Sequence, residues 1–203
     1  VSIRRIMEKD KNSFESHVSN ERTHLSQVRR AFADGIKTNN PDPSSINFLI
    51  SCCDYLSFSL RRLIEQDHVL HERLIPHVSD DNQEYKEKLN KLETGLVSME
   101  EFIDNLENSK SELIVSGLYG FQEFKTDAEE FLDAFLEMLA SNRHSTYELE
   151  KEVFSKDDWE AIACISEEAV QREDDLYKAV TASSPEDCNP KKYPPIGHNQ
   201  SVK

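Results

Sequence analysis

The feature that most constrains this chain is a long stretch without proline. No proline lies between Pro76 and Pro185. Proline inside a helix removes a backbone hydrogen bond and clashes with the preceding turn, so its absence permits long helices. The chain has only 5 glycines among its 203 residues, and glycine is the residue that tight turns use most. Together these features favour an all-helical protein.

Apolar residues recur at helical spacing in five segments, and no segment shows the alternation typical of a strand. The predicted helices cover about 10–36, 42–75, 82–106, 121–144 and 155–180. The last one opens at Ser155, with Asp158 at the third position after it, which is a capping-box pattern. Short links between long amphipathic helices predict an antiparallel up-down bundle.

The carboxyl-terminal residues differ in composition from the rest of the chain. Four of the 7 prolines lie from Pro185 onward, and this stretch has no helical periodicity. We therefore expect a helical domain over 1–182 and an extended Pro-rich tail over 183–203.

Charge, apolar runs, cysteine usage and motifs argue against several classes of protein. The chain has 24 Lys+Arg against 39 Asp+Glu, a net charge of −15, which argues against a nucleic-acid partner because phosphates require clustered basic residues. It has no apolar run long enough to span a membrane, and its first residues lack the apolar core of a signal peptide. The 4 cysteines show no C-x-x-C spacing, which indicates reduced thiols in a cytoplasmic protein. Motifs of phosphate-binding loops and serine hydrolases are missing as well.

Two acidic residues interrupt apolar stripes. Asp67 falls on the stripe of the second helix, with His71 one turn later, and a buried carboxylate is costly unless it is paired or binds a metal. The alternative is an exposed helix end near Pro76, where polarity costs little. Glu173 falls on the stripe between Val170 and Tyr177. Either a metal or an arginine would satisfy Glu173, and the candidate arginines are Arg143 and Arg172.

Two E-x-x-H pairs add to this pattern. They are Glu21 with His24 and Glu65 with His68, and this spacing is used by di-iron helical bundles. His17 lies one turn before Glu21. The later part of the chain contributes the H-x-x-x-E pair His144 and Glu148.

The segment QDHVLHERLIPHV resembles the end of the second helix in hemerythrin-like (HHE cation-binding) domains. Aligned on Leu74-Ile75-Pro76, Asp67 and His71 occupy the positions of that family's His and Glu. The first-helix pattern is similar at His24, and the fourth-helix pattern is similar at His144 through Glu148. The resemblance extends over about 13–180.

The resemblance implies a four-helix, hemerythrin-like bundle with an additional C-terminal helix that holds one or two non-haem irons. Such a protein binds or senses dioxygen, nitric oxide or iron, and a carboxylate-rich site also suits Mn. The third helix of this chain has no His, and Glu93, Glu100 and Glu101 are the candidates there. The metal-ligating residues are therefore predicted to be His24, Asp67, His71, His144, Glu148, Glu173, Glu21 and His68.

The alternative is a metal-free bundle that has lost the metal site and serves as an interaction or regulatory protein. An acidic surface of this kind suits a basic protein partner, although acidity also serves solubility alone. The two functions are left open by the sequence.

Overall fold

The computed structural model describes residues 20–79, 81–142 and 146–194, and all regular structure within these ranges is helical. The α-helices in them are α1 (20–35), α2 (Pro43–Leu74), α3 (Gln83–Ser116), α4 (Phe121–Asn142), α5 (Tyr147–Val153), α6 (Lys156–Ile162) and α7 (Glu167–Ser183). The prediction of an all-helical protein is confirmed. The part of the first predicted helix before Asn20 lies outside the described residues.

Local sequence signals explain where several helices begin and end. Asp42 caps α2 by accepting a hydrogen bond from the Ser45 amide at 2.8 Å, and Pro43 fits the first turn because its missing N–H has no acceptor there. The capping box predicted at Ser155 and Asp158 is present at the start of α6. Gly117 ends α3 with φ of 57°, a conformation that residues with a side chain rarely adopt.

The fifth predicted helix is wrong in one respect, because it is divided into α6 and α7. Ser166 accepts a hydrogen bond from the Ala169 amide at 3.1 Å and so starts a new helix. Serine favours such a cap over a helix interior because its hydroxyl competes for backbone groups. The fourth predicted helix is described as far as Asn142, and Glu148 lies on the separate short helix α5.

Pairs of contacts show that α2 runs antiparallel to α3. Along α2 and α3, Asp54 pairs with Lys110 at 2.7 Å and Arg61 pairs with Glu107 at 2.8 Å. Since the position on α2 rises as the position on α3 falls, the two helices are antiparallel. α1 and α7 also pack against the core side of α2.

The predicted apolar stripes form the core. Leu25, Val28 and Phe32 of α1 are buried with Leu49, Cys53, Leu56 and Leu60 of α2, six residues of α3 from Leu89 to Leu106, and the phenylalanines of α4. Leu139 is an exception, because 45% of it is exposed near the end of α4, and Trp159 is partly exposed on α6 rather than placed in the core.

Candidate functional site

Three helices bring charged side chains together in the protein interior. Glu21 of α1 and Glu173 of α7 are buried, and Arg62 of α2 lies between them. Arg62 forms an ion pair with Glu21, and its Nη2 is 3.8 Å from Glu173 Oε2. The Tyr55 hydroxyl donates a hydrogen bond to Glu173 Oε1 at 3.0 Å. We call these four residues the Arg62 cluster.

The protonation of the Arg62 cluster follows from its surroundings. Burial and the neighbouring Glu173 carboxylate raise the pKa of Tyr55, so the phenol stays neutral and acts as a donor. Burial lowers the pKa of Arg62, while Glu173 and Glu65 oppose that change. A guanidinium remains charged in proteins, so Arg62 supplies one positive charge to the two buried carboxylates.

A series of ring and hydrogen-bond contacts beside this cluster connects α1 and α7 with the carboxyl-terminal segment. His24 stacks on Tyr177 with ring centroids 3.7 Å apart. The Tyr177 hydroxyl donates to Gln27 Oε1 at 2.7 Å, and Gln27 Nε2 donates to the Tyr193 carbonyl oxygen at 2.8 Å. The Tyr193 hydroxyl donates to Asp34 Oδ2 at 2.5 Å. The described part of the predicted tail is thereby fastened to α1.

The predicted metal ligands Asp67 and His71 of α2 lie next to different helices. Asp67 lies near Glu150 of α5, whose carboxylate accepts a hydrogen bond from the Thr146 hydroxyl at 2.5 Å. Burial, followed by repulsion from Glu150, raises the pKa of Asp67 to about 6, with His68 acting in the opposite direction. His71 instead lines a cavity of about 360 Å³ together with Glu93 of α3.

The remaining predicted ligands are spread over the surface or lie outside the description. His68 Nε2 is 3.7 Å from Glu100 Oε1, and both side chains are partly exposed. The Glu148 side chain is 81% exposed and lies 3.9 Å from the Lys151 ammonium group. Glu101 is exposed. His17 and His144 lie outside the described residues.

The structure therefore brings Glu21, His24 and Glu173 to one region and places Asp67 and His71 elsewhere along α2. Within 20–79, 81–142 and 146–194, no group of three His, Cys, Asp or Glu side chains is arranged to hold a metal ion. At the Arg62 cluster the donor set does not fit a cation, because a guanidinium already stands between the two carboxylates. The assignment of the metal ligands stays a prediction.

Sequence reasoning found Glu173 but missed its partner. The expected arginines were Arg143 and Arg172, yet Arg172 is exposed and Arg143 lies outside the description. The residue that pairs with Glu173 is Arg62, one position before Leu63 of the apolar stripe. The available signal was an arginine at the edge of a stripe, where a long side chain can reach inward.

No family model matches this chain, and no match is found among curated proteins or solved structures. Within the described residues, no helix is both long enough and apolar enough to cross a membrane.

Proposed function

We propose that this chain is a metal-free helical bundle that acts by binding a basic protein partner. The observation that carries the metal-free part of this proposal is the position of Arg62 between Glu21 and Glu173. Iron sites in helical bundles surround a cation with carboxylates and imidazoles. Here two of the predicted ligand carboxylates share one arginine, which supports a structural explanation of their burial.

The proposed architecture is a hemerythrin-like four-helix bundle formed by α1 to α4, with α7 as the additional C-terminal helix. The antiparallel contacts of α2 with α3 and the packing of Phe32 against Phe124, with ring centroids 6.1 Å apart, support this arrangement. The cytoplasm is the proposed compartment, because the 4 cysteines are free thiols.

The charge of the chain supports a basic partner. A net charge of −15 attracts positively charged surfaces over several ångströms and accelerates their association at low salt. The functional role would therefore depend on complementary charge as well as on apolar contact.

The first test is elemental analysis of protein purified from iron-supplemented cells. We expect metal at background level and an unchanged melting temperature after chelation. One or two irons per chain, lost together with thermal stability on chelation, would contradict the proposal. A second arm measures salt-sensitive binding of a lysine-rich amphipathic helical peptide against the same peptide with glutamate at every lysine position. Equal binding of the two peptides would also contradict it.

Iron binding is the second candidate function, and the closeness of Asp67 to Glu150 favours it. A proton or a cation would relieve the repulsion between the partly buried carboxylates of Asp67 and Glu150. If iron is present, Asp67→Asn and Glu150→Gln should lower the metal content, whereas the exposed control Glu152→Gln should retain it. Dioxygen or nitric oxide would then be the small ligand to examine by absorption spectroscopy. Full metal content in both variants would place the metal elsewhere.

A further inference from the structure

The turn between α3 and α4 carries a group of exposed apolar side chains. Single exposed apolar residues are common, but contiguous ones indicate a contact surface. Val115 is 88% exposed and Tyr119 is 99% exposed, and their neighbours Ile114 and Leu118 are 56% and 45% exposed. We call these four residues the apolar tip.

The apolar tip is held in place by the residues on either side of it. Leu113 and Phe121 are buried in the core immediately before and after the turn. Gly117, with φ of 57°, ends α3 between them. Since both ends of the turn are fixed, the tip presents its side chains outward at little further entropic cost, which favours binding.

The two helices joined at the apolar tip carry an excess of acidic residues. Residues 100–137 contain 11 acidic residues and 2 basic ones. Both basic residues have acidic partners, since Lys110 Nζ is 2.7 Å from Asp54 Oδ1 and Lys125 Nζ is 3.9 Å from Glu129 Oε1. Arg61 of α2 pairs with two of the acids farther from the turn. The helices on either side of the tip are therefore acidic as a whole, and Glu112 and Glu123 are the exposed acids nearest to the tip.

We propose that the apolar tip is the docking site for an amphipathic helical segment of a protein partner, with lysine and arginine beside its apolar stripe. This inference rests on the proposed function and names the surface that would perform it. The apolar stripe would cover Val115 and Tyr119, and the basic residues would face the exposed Glu112 and Glu123. Recognition of an amphipathic helix through a few apolar anchors is a recurring binding mode.

Charge selects this partner over two other apolar surfaces. A second copy of the chain would bring two molecules of net charge −15 together and would set Glu112 and Glu123 against the same residues of the copy. An anionic membrane would repel the acidic hairpin in the same way. A basic helix satisfies the apolar side chains and the carboxylates together.

The experiment measures fluorescence anisotropy of a labelled leucine- and lysine-containing amphipathic peptide of about five helical turns with the full chain. The double variant Val115→Ser/Tyr119→Ser should bind about tenfold more weakly or worse, because two apolar contacts are lost. The control Val97→Ser/Leu139→Ser removes two apolar side chains that are 47% and 45% exposed and lie outside the tip, and it should bind as the unmodified chain does. Circular dichroism should show both variants equally folded.

A second pair of variants tests the charge. Glu112→Gln/Glu123→Gln should weaken binding at low salt and reduce its salt dependence. The control Glu152→Gln/Glu168→Gln changes exposed acids of α5 and α7 and should have a smaller effect on both.

The outcomes separate this inference from the proposed function. Full affinity of the tip variant, with the peptide still bound in a charge-dependent way, overturns the docking site and leaves the proposed function standing. Absence of peptide binding overturns both the docking site and the basic partner, and the metal analysis then decides about the metal-free bundle. Tip-dependent dimerisation, or tip-dependent binding to phosphatidylglycerol vesicles without peptide binding, also overturns the docking site.

Discussion

Tyr55 of α2 donates a hydrogen bond to Glu173 of α7 at 3.0 Å, across 118 positions of sequence. Glu173 is only 1% exposed and also faces Arg62. A buried carboxylate that accepts a hydrogen bond and faces a guanidinium has its charge compensated without a metal. The contact ties α7 to α2, which contributes more buried apolar residues than any other described helix.

We expect Arg62→Met to be strongly destabilising. It leaves Glu21 and Glu173 buried without their cation, and loss of one partner of a buried ion pair costs about 3–5 kcal/mol of the free energy of unfolding. The matched control is Arg61→Met, because Arg61 pairs with Asp104 and Glu107 at the surface, where ion pairs contribute about 0–1 kcal/mol. Urea denaturation at pH 7 measures both losses.

The double variant Arg62→Met/Glu173→Gln completes this test. Because it removes one of the two buried carboxylates, the double variant should be more stable than Arg62→Met. Compared with the two single variants in a double-mutant cycle, it reports the coupling free energy between Arg62 and Glu173. Equal losses for Arg61→Met and Arg62→Met would show that the Arg62 cluster contributes no more than a surface pair.

The helical periodicity of the sequence predicted only one part of the Arg62 cluster, the burial of Glu173. The stripe between Val170 and Tyr177 placed Glu173 in the interior, where it lies. Periodicity assigns a direction to each Cα–Cβ bond, but the reach of a long side chain such as that of Arg62 depends on which helices meet there. The pairing of α1, α2 and α7 is a tertiary property and was not contained in any one helix.

The same limit explains the outcome for Asp67 and His71. Four-residue spacing places two side chains on one face of a helix, but that face is wide enough to meet two neighbours. Asp67 lies near Glu150 of α5, whereas His71 lines a cavity with Glu93 of α3. The all-helical fold class could be predicted because each apolar stripe is a local feature of one helix. The division of the last predicted helix was missed because Ser166 can either cap a new helix or continue the preceding one.

Asp67 should make stability depend on pH. Its pKa is about 6 in the folded protein, against 3.8 for an ordinary Asp, so the folded state binds the proton more tightly. The resulting stabilisation is fully present below about pH 4 and is lost as the pH rises through about 6. We expect Asp67→Asn to be more stable than the unmodified chain by about 1–2 kcal/mol at pH 8, after allowance for partial solvent access, and equal to it near pH 4.

Thermal or urea denaturation across pH 4–8 measures this difference. The control Glu148→Gln changes an exposed carboxylate of α5 and should show a pH dependence close to that of the unmodified chain. A constant difference between Asp67→Asn and the unmodified chain at every pH would contradict the raised pKa.

Gln27 should hold the carboxyl-terminal segment in place. It accepts from Tyr177 and donates to the Tyr193 carbonyl oxygen, so Gln27→Met leaves a buried phenol and a carbonyl without their partner. Unsatisfied buried polar groups cost about 1–3 kcal/mol each. We expect lower stability and faster trypsin cleavage at Lys191 and Lys192. Gln122→Met, at an exposed position of α4, is the control, and cleavage at the same rate in both variants would show that Gln27 does not fasten the segment.

Two glycines in helices should respond to alanine with opposite signs. A Cβ at Gly35 would lie 2.8 Å from Phe48 Cε1 and 3.2 Å from Leu49 Cδ2. Both neighbours are buried, so Gly35→Ala overpacks the contact of α1 with α2 and should cost about 1–3 kcal/mol. A Cβ at Gly95 meets nothing within 4 Å.

Gly95→Ala should therefore stabilise the protein by about 0.5–1 kcal/mol, because alanine restricts the unfolded chain and favours the helix. Urea denaturation of both variants under one set of conditions tests the pair, with the slope m expected to stay constant so that the midpoints report stability alone. If Gly35→Ala instead stabilised the protein, the Phe48 ring would have to move aside without lowering the free energy of unfolding. The packing of α1 on α2 would then be looser than the 2.8 Å distance between the added Cβ and Phe48 Cε1 indicates.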